Sequence, residues 1–335
     1  MRKISFLKNL LILTISILLT ISIFYLILTK IDLIKTIDTL KSIKINYLVL
    51  CIFISITINI FIYADIRRVI WQNLEQLISY KELIYIRLGS LPFKVIPSFK
   101  NTDIVSAIYL KKFHNIPITQ SILTNIIANI FDLMSILLIF STGYIVNLIY
   151  HIDISQYQQY FSVMFIIFVF LIIAIYAFIL KQNIGKKLLF LLFFRKNSKH
   201  IELLNKIMKK WKELPVYKNI LLLIYTFIFQ LSELIIFYFF SRSLNLNIPV
   251  TSILLYLPLI IIISQLPISF FGFGIREGAY IIFFIAFGTK ETLFALGLIV
   301  FFVNQIVPIF IGLVFTLPFL HKLKFSEIKN NNNHD

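Results

Sequence analysis

Cysteine, acidic side chains and recognisable cofactor patterns are what this sequence has least of. A single cysteine, Cys51, in 335 residues excludes an intrachain disulfide framework and any multi-cysteine zinc site. Its place inside an apolar run reads as a buried, inert thiol. The five histidines, His114 and His151 among them, fall at no metal-ligand spacing. P-loop, zincin, G-x-S-x-G and nucleotide-binding glycine patterns are also missing, so neither a cofactor nor a metal is expected. Charge itself is sparse: 14% of residues are charged and 59% hydrophobic, with a mean hydropathy of +0.91. An average soluble domain carries about 25% charged residues. A soluble enzyme is therefore excluded, and the expected fold class is all-α, a polytopic helical membrane bundle.

What charge there is leans one way. Lys and Arg number 32 against 15 Asp and Glu, a formal net charge of +17. In a soluble chain that excess would point to nucleic acid. Here the basic residues flank apolar spans, where they meet anionic lipid headgroups, so membrane lipid is the expected partner and nucleic acid is not. A membrane-protein partner or a second copy of the chain remains open. The asparagine-rich end, Asn330 to Asn333, is a polar low-complexity tail, and residues 1–321 read as one integral membrane domain ahead of a polar tail, 322–335.

Met1 to Thr29 starts with Arg2, Lys3 and Lys8 and then carries no charge from Asn9 to Thr29. No small-x-small cleavage site follows, so a retained first span is expected rather than a signal peptide. Uncharged stretches recur at Ile45 to Ala64, Phe113 to Phe131, Ile154 to Leu180, Ser243 to Ile275 and Thr292 to His321, while Asn219 to Ser241 is broken only by Glu233. A helix needs about 20 residues to cross the hydrocarbon core, so about eight crossings are expected. Basic residues collect in the N-terminus, in Asp65 to Asn115, in Lys181 to Lys218 and in the C-terminal tail. The positive-inside rule then places both termini in the cytoplasm of a cell-membrane protein. The basic segment 181–218 is expected as a cytoplasmic loop, and its leucines and Trp211 suit an amphipathic helix at the interface.

Two segments break the apolar pattern in a similar way. Ser90-Leu91-Pro92 opens one and Ser264-Gln265-Leu266-Pro267 the other. Each turns polar and then resumes as an apolar helix, which predicts two re-entrant or broken segments related as an internal repeat. Irregular backbone at membrane depth is tolerated only where protein or a water-filled cavity satisfies its amides, and paired breaks of this kind mark transporter-like sites. Arg276 and Glu277 stand in the second break beside Gly272 and Gly274. A helix starting near Ile275 would use Glu277 in its first turn and offer Arg276 with free amides to an anion; the plainer alternative is a local charge pair closing a turn. Lys100 and Asp103 charge the first break. Ser121, Asn125, Asn129, Asp132 and Ser135 recur at helical spacing on one face, either as interhelical hydrogen-bonding contacts or as the wall of a hydrophilic groove. Thr226, Gln230 and Glu233 make a similar face later in the chain.

These residues together resemble the membrane portion of the lysylphosphatidylglycerol synthase family, a flippase-like transmembrane domain. The run Leu266-Pro267-Ile268-Ser269-Phe270-Phe271-Gly272-Phe273-Gly274-Ile275-Arg276-Glu277-Gly278 is similar to that family's P-I-S-x-G-G-x-G-x-R-E-G, with Phe271 where the family has its first glycine. Pro97 to Lys112 is similar to a P-G-R-x-G-E-x-x-R segment in which Ser98, Thr102 and Ser106 replace Gly, Gly and Arg, while Lys100 and Asp103 keep charge near the Arg and Glu positions. The resemblance implies a lipid-handling domain. In bifunctional relatives a separate soluble domain attaches the amino acid, and the chain ends soon after its last span, so aminoacyl transfer is not expected. The leading expectation is a translocase that moves a polar or anionic lipid headgroup past Arg276, Glu277, Gly272, Gly274, Lys100, Asp103, Asp132, Glu233 and Asn129. The competing expectations are a membrane-embedded transferase using a lipid-linked donor, for which the first outer loop offers only Asp32 and Asp38, and a non-transporting scaffold of an envelope-building complex.

Overall fold

The computed structural model describes residue 14 and residues 18–95, 101–149, 158–180, 216–265 and 272–331. Residues 1–13 and 15–17 of the expected first span, Lys100, the basic segment with Trp211 as far as residue 215, and Leu266 to Phe271 of the glycine-rich run lie outside the described residues. Every regular element among the described residues is helical. In chain order these are α1 (Leu18–Leu28), α2 (Leu33–Lys41), α3 (Ile45–Asn73), α4 (Tyr80–Ser90), α5 (Asn101–His114), α6 (Ile118–Ile149), α7 (Gln158–Leu180), α8 (Val216–Ser243), α9 (Val250–Ser264), α10 (Ile275–Phe284) and α11 (Lys290–Leu323, its last turns continuing to Asn331).

Four of these helices, α3, α6, α8 and α11, are long and apolar enough to cross a bilayer, and α1, α7 and α9 supply shorter apolar helices. The surface carries the sign of a lipid-facing bundle. Ile45, Val49 and Phe53 on α3, Ile220, Ile224 and Ile228 on α8, and Phe310, Val314 and Leu317 on α11 are exposed at helical spacing. In water such stripes would be costly; against acyl chains they are the expected solvent face.

With lipid outside, helix association depends on close packing and hydrogen bonds rather than on apolar burial. The tightest example joins α6 to α9. A Cβ on Gly143 would stand 2.6 Å from the main-chain carbon of Leu254, so only glycine lets the backbones meet there. Nearby, Asn147 of α6 donates to the Thr251 carbonyl at 3.1 Å. The main apolar core gathers Ile236, Phe237 and Phe240 of α8, Ile253, Leu257 and Ile260 of α9, Tyr280 and Phe284 of α10 and Leu296 and Val300 of α11. A second core forms where Trp71, Leu83, Ile86, Tyr109, Leu110 and Phe319 meet.

Both predicted breaks interrupt helices. Helix α4 runs into a short 3-10 turn, Leu91–Val95, before α5, and α9 ends at Ser264 before α10. The two serines do the same local work: Ser90 Oγ donates back to the Arg87 carbonyl at 3.0 Å, and Ser264 Oγ to the Ile261 carbonyl at 2.8 Å. Both carbonyls also accept the backbone N–H of the capping residue, from Leu91 to Arg87 and from Gln265 to Ile261, so each serine shares the last acceptor of its helix and keeps its hydroxyl satisfied within the turn. Two wider turns accompany the breaks. Helix α3 has a π turn at Ile58–Ile62 and α11 another at Phe302–Ile306, and they are linked where Ser55 Oγ donates to the Val303 carbonyl at 2.9 Å. Single π turns inside α-helices are frequent at functional sites because they redirect side chains and free backbone acceptors.

Candidate functional site: a charged cleft within the bundle

Helices α3, α4, α5, α6 and α8 converge on a cleft of about 170 Å³ lined by Tyr63, Arg67, Arg87, Asp103, Asn129 and Asp132, with Ile66, Thr102, Ala128 and Phe229 completing its wall. A smaller recess of about 30 Å³ adjoins it through Tyr63, Arg67, Arg87 and Asp103 and continues to Trp71, Ser106, Ser121 and Asn125. Asn129 is exposed and the Asp103 side chain keeps 14% of its surface open, so the cleft opens to the outside of the bundle.

Tyr63 organises the cations. Arg87 stacks on its ring 3.7 Å from the centroid and Arg67 lies at 4.9 Å. The ring's negative faces partly offset two like charges held close together. The Tyr63 hydroxyl accepts a 2.7 Å hydrogen bond from Arg67 Nη2, and Asp103 Oδ1 approaches the same nitrogen at 3.6 Å. Arg87 Nε donates at 3.1 Å to the carbonyl of Asn59, inside the π turn of α3. The backbone irregularity that the sequence conceals thus supplies the acceptor that fixes Arg87. Arg67 is 9% exposed and Arg87 8%, deep burial for permanently charged groups and sustainable only with such partners.

A second polar group lies next to the first. Lys94, in the 3-10 turn after α4, donates to Gln305 Oε1 in the π turn of α11, and it lies within the electrostatic reach of Arg87, Glu233 and Arg276. Tyr280 in turn is within reach of Arg276, Glu233 and Glu277. Charged groups therefore follow one another from Asp103 and Arg67 through Arg87 and Lys94 to Glu233 and Arg276.

The sequence-predicted residues divide between these regions. Asp103, Asn129 and Asp132 line the cleft. Glu233 and Arg276, both partly buried, belong to the second group. Glu277 is fully buried, and its Oε2 accepts the Gly274 N–H at 2.6 Å; Gly274 at φ +85° and Gly272 at φ +71° make the turn that starts α10. That is helix capping, in which the glutamate binds an amide at the positive end of its own helix. The polar face of α6 serves both purposes anticipated for it: Asn125, Asn129 and Asp132 border the two recesses, whereas Ser135 is in mutual hydrogen bonding with Thr226 of α8 at 2.8 Å.

Sequence reasoning missed Arg67, Arg87 and Lys94. All three were counted within the basic stretch Asp65 to Asn115 as cytoplasmic-loop charges, yet two are buried and the third is partly buried and bonded to Gln305. The available signals were local ones: Tyr63 and Arg67 are one helical turn apart, and Arg87 stands between Ile86 and Leu88.

Five helices surrounding an open charged cleft, with apolar stripes outside and broken helices beside it, define a multi-pass membrane protein with an internal polar site. The model of the lysylphosphatidylglycerol synthase TM region matches residues 13–312, and the chain belongs to that family. No curated protein matches it.

Proposed function

We propose that the protein is a lipid translocase that moves the polar headgroup of a membrane lipid through the cleft while the acyl chains stay in the bilayer, in a cell membrane with both chain termini on the cytoplasmic side. The observation that carries this reading is an open cleft of about 170 Å³ with Arg67, Arg87, Asp103 and Asp132 on its wall, inside a bundle whose outer surface is apolar. Ionised groups at bilayer depth are costly, about 2.5 to 3.5 kcal/mol each even on insertion scales, and are characteristic of substrate pathways. Arg276, Glu233 and Lys94 extend the path beyond the cleft, with Glu277, Gly272 and Gly274 holding the turn that presents Arg276.

Blocking the cleft tests the proposal. Ala128 is 5% exposed on its wall, and Ala128→Phe fills the space without touching a charge. In proteoliposomes carrying fluorescent lipid, chemical quenching from outside should reach both leaflets with the parent protein and only the outer leaflet with the variant. Equal movement in a folded variant would refute passage through the cleft.

A further inference from the structure

The guanidinium of Arg67 is only half used. Its Nη2 meets the Tyr63 hydroxyl at 2.7 Å and Asp103 at 3.6 Å, but Nη1 is buried and has no hydrogen-bond partner. An unfilled donor on a charged group costs more than one on a neutral group, because the full desolvation penalty stays uncompensated. Folded proteins keep few such atoms, and each calls for a partner. Arg67 lines both the cleft and its smaller recess, so the missing partner has a place to sit.

We infer that Arg67 Nη1 is the anchor for a phosphate group, with Asp103 as the positioning residue that holds the other arm of the guanidinium fork. This deepens the translocase reading and rests on it for the ligand's origin. The fork geometry of arginine matches the oxygens of phosphate, and the resulting charge-assisted bonds are short and directional. Arg87, stacked on the Tyr63 ring at 3.7 Å, adds a second positive charge beside the same space. The two carboxylates of the wall limit what else can enter. Asp103 faces Nη2 and Asp132 is within electrostatic range of Arg67, so Nη1 is the arm of the fork left to donate to an entering anion, and two carboxylates on the wall disfavour a second anion. The volume also selects: about 170 Å³ equals some five or six water molecules at about 30 Å³ each, room for a phosphate and a small substituent but not for an acyl chain. Trp71, 2% exposed, lines the recess shared with Arg67 and provides an optical reporter.

The experiment titrates the purified full chain, with Trp211→Phe leaving Trp71 as the single tryptophan. The probes are dihexanoyl-phosphatidylglycerol, dihexanoylglycerol without phosphate, and inorganic phosphate. The phosphate-bearing lipid should change Trp71 emission saturably and the phosphate-free lipid should not. Arg67→Lys keeps a cation for Asp103 but loses the fork, and should weaken binding at least tenfold. The neutral pair Arg67→Gln with Asp103→Asn, which removes both members of the ion pair together and so strands neither of them, should abolish it. Inorganic phosphate acting as strongly as the lipid identifies free phosphate as the source; a response to the lipid alone identifies a headgroup. Equal binding of the phosphate-free lipid, or binding unchanged in both Arg67 variants, overturns the assignment. Unchanged binding with lipid movement intact would remove the anchor and keep the translocase, whereas Arg67-dependent binding without lipid movement would do the reverse.

Discussion

Removing Asp103 gives the most direct test of whether the cleft's charges are held as described. Arg67 and Asp103 are separated by 3.6 Å with side chains 10% and 14% exposed, so Asp103→Ala leaves a buried guanidinium with the Tyr63 hydroxyl as its closest partner. Breaking a buried pair from one side costs about 3 to 5 kcal/mol, because the surviving charge stays desolvated. Two features lower the expectation here: the cleft is open rather than sealed, and Asp132 stays within electrostatic range of Arg67. The expected loss is about 3 kcal/mol, near the bottom of that range, which is about a hundredfold in the folding equilibrium. Replacing both partners, Arg67→Met with Asp103→Leu, should recover most of the loss, since similar-sized apolar side chains substitute for buried ion pairs at little cost. Reversible unfolding in mixed detergent, followed by helicity, measures all three proteins. An Asp103→Ala stability within about 0.5 kcal/mol of the parent, or a double variant as damaged as the single one, would refute the account of the cleft as a closely paired buried charge cluster.

Two further outcomes follow from the packing and from the cap of α10. Gly143→Ala forces a methyl against the Leu254 main chain at 2.6 Å, where carbon atoms normally sit about 3.5 to 4.0 Å apart; α6 and α9 must separate, and thermal unfolding should show a loss of about 1 to 3 kcal/mol. An unchanged melting temperature would mean the helices are not in backbone contact. Glu277→Gln keeps an oxygen that accepts from Gly274 N–H and should leave the start of α10 intact, whereas Glu277→Ala should lose about 1 kcal/mol and speed hydrogen exchange at Gly274 to Gly278. Equal exchange in the two variants would show that Glu277 is not the cap.

Broken helices were legible in advance because their causes are local. Ser90 with Pro92, and Ser264 with the glycines after it, sit next to the backbone they disturb. The capping role of Glu277 was also within reach, three residues from the amide it accepts. The π turns at Ile58–Ile62 and Phe302–Ile306 were not, since Asn59 in the first and Asn304 and Gln305 in the second are polar but no proline or glycine falls inside either one. They depend on tertiary partners: Arg87 bonds the Asn59 carbonyl of the first, and Ser55 and Lys94 reach into the second.

Composition and hydropathy by themselves determined that this chain is an all-helical membrane protein, because satisfying every backbone amide in oil leaves a helix-rich chain one solution. They also determined which stretches are apolar enough to cross and where two helices had to break. Only the tertiary structure decided which charges are interior. A lysine or arginine near the end of an apolar run looks the same in sequence whether it snorkels to the headgroups or turns inward. The difference for Arg67, Arg87 and Lys94 lies in Tyr63, Asn59, Asp103 and Gln305, up to 211 residues away along the chain, brought within bonding distance by helix packing.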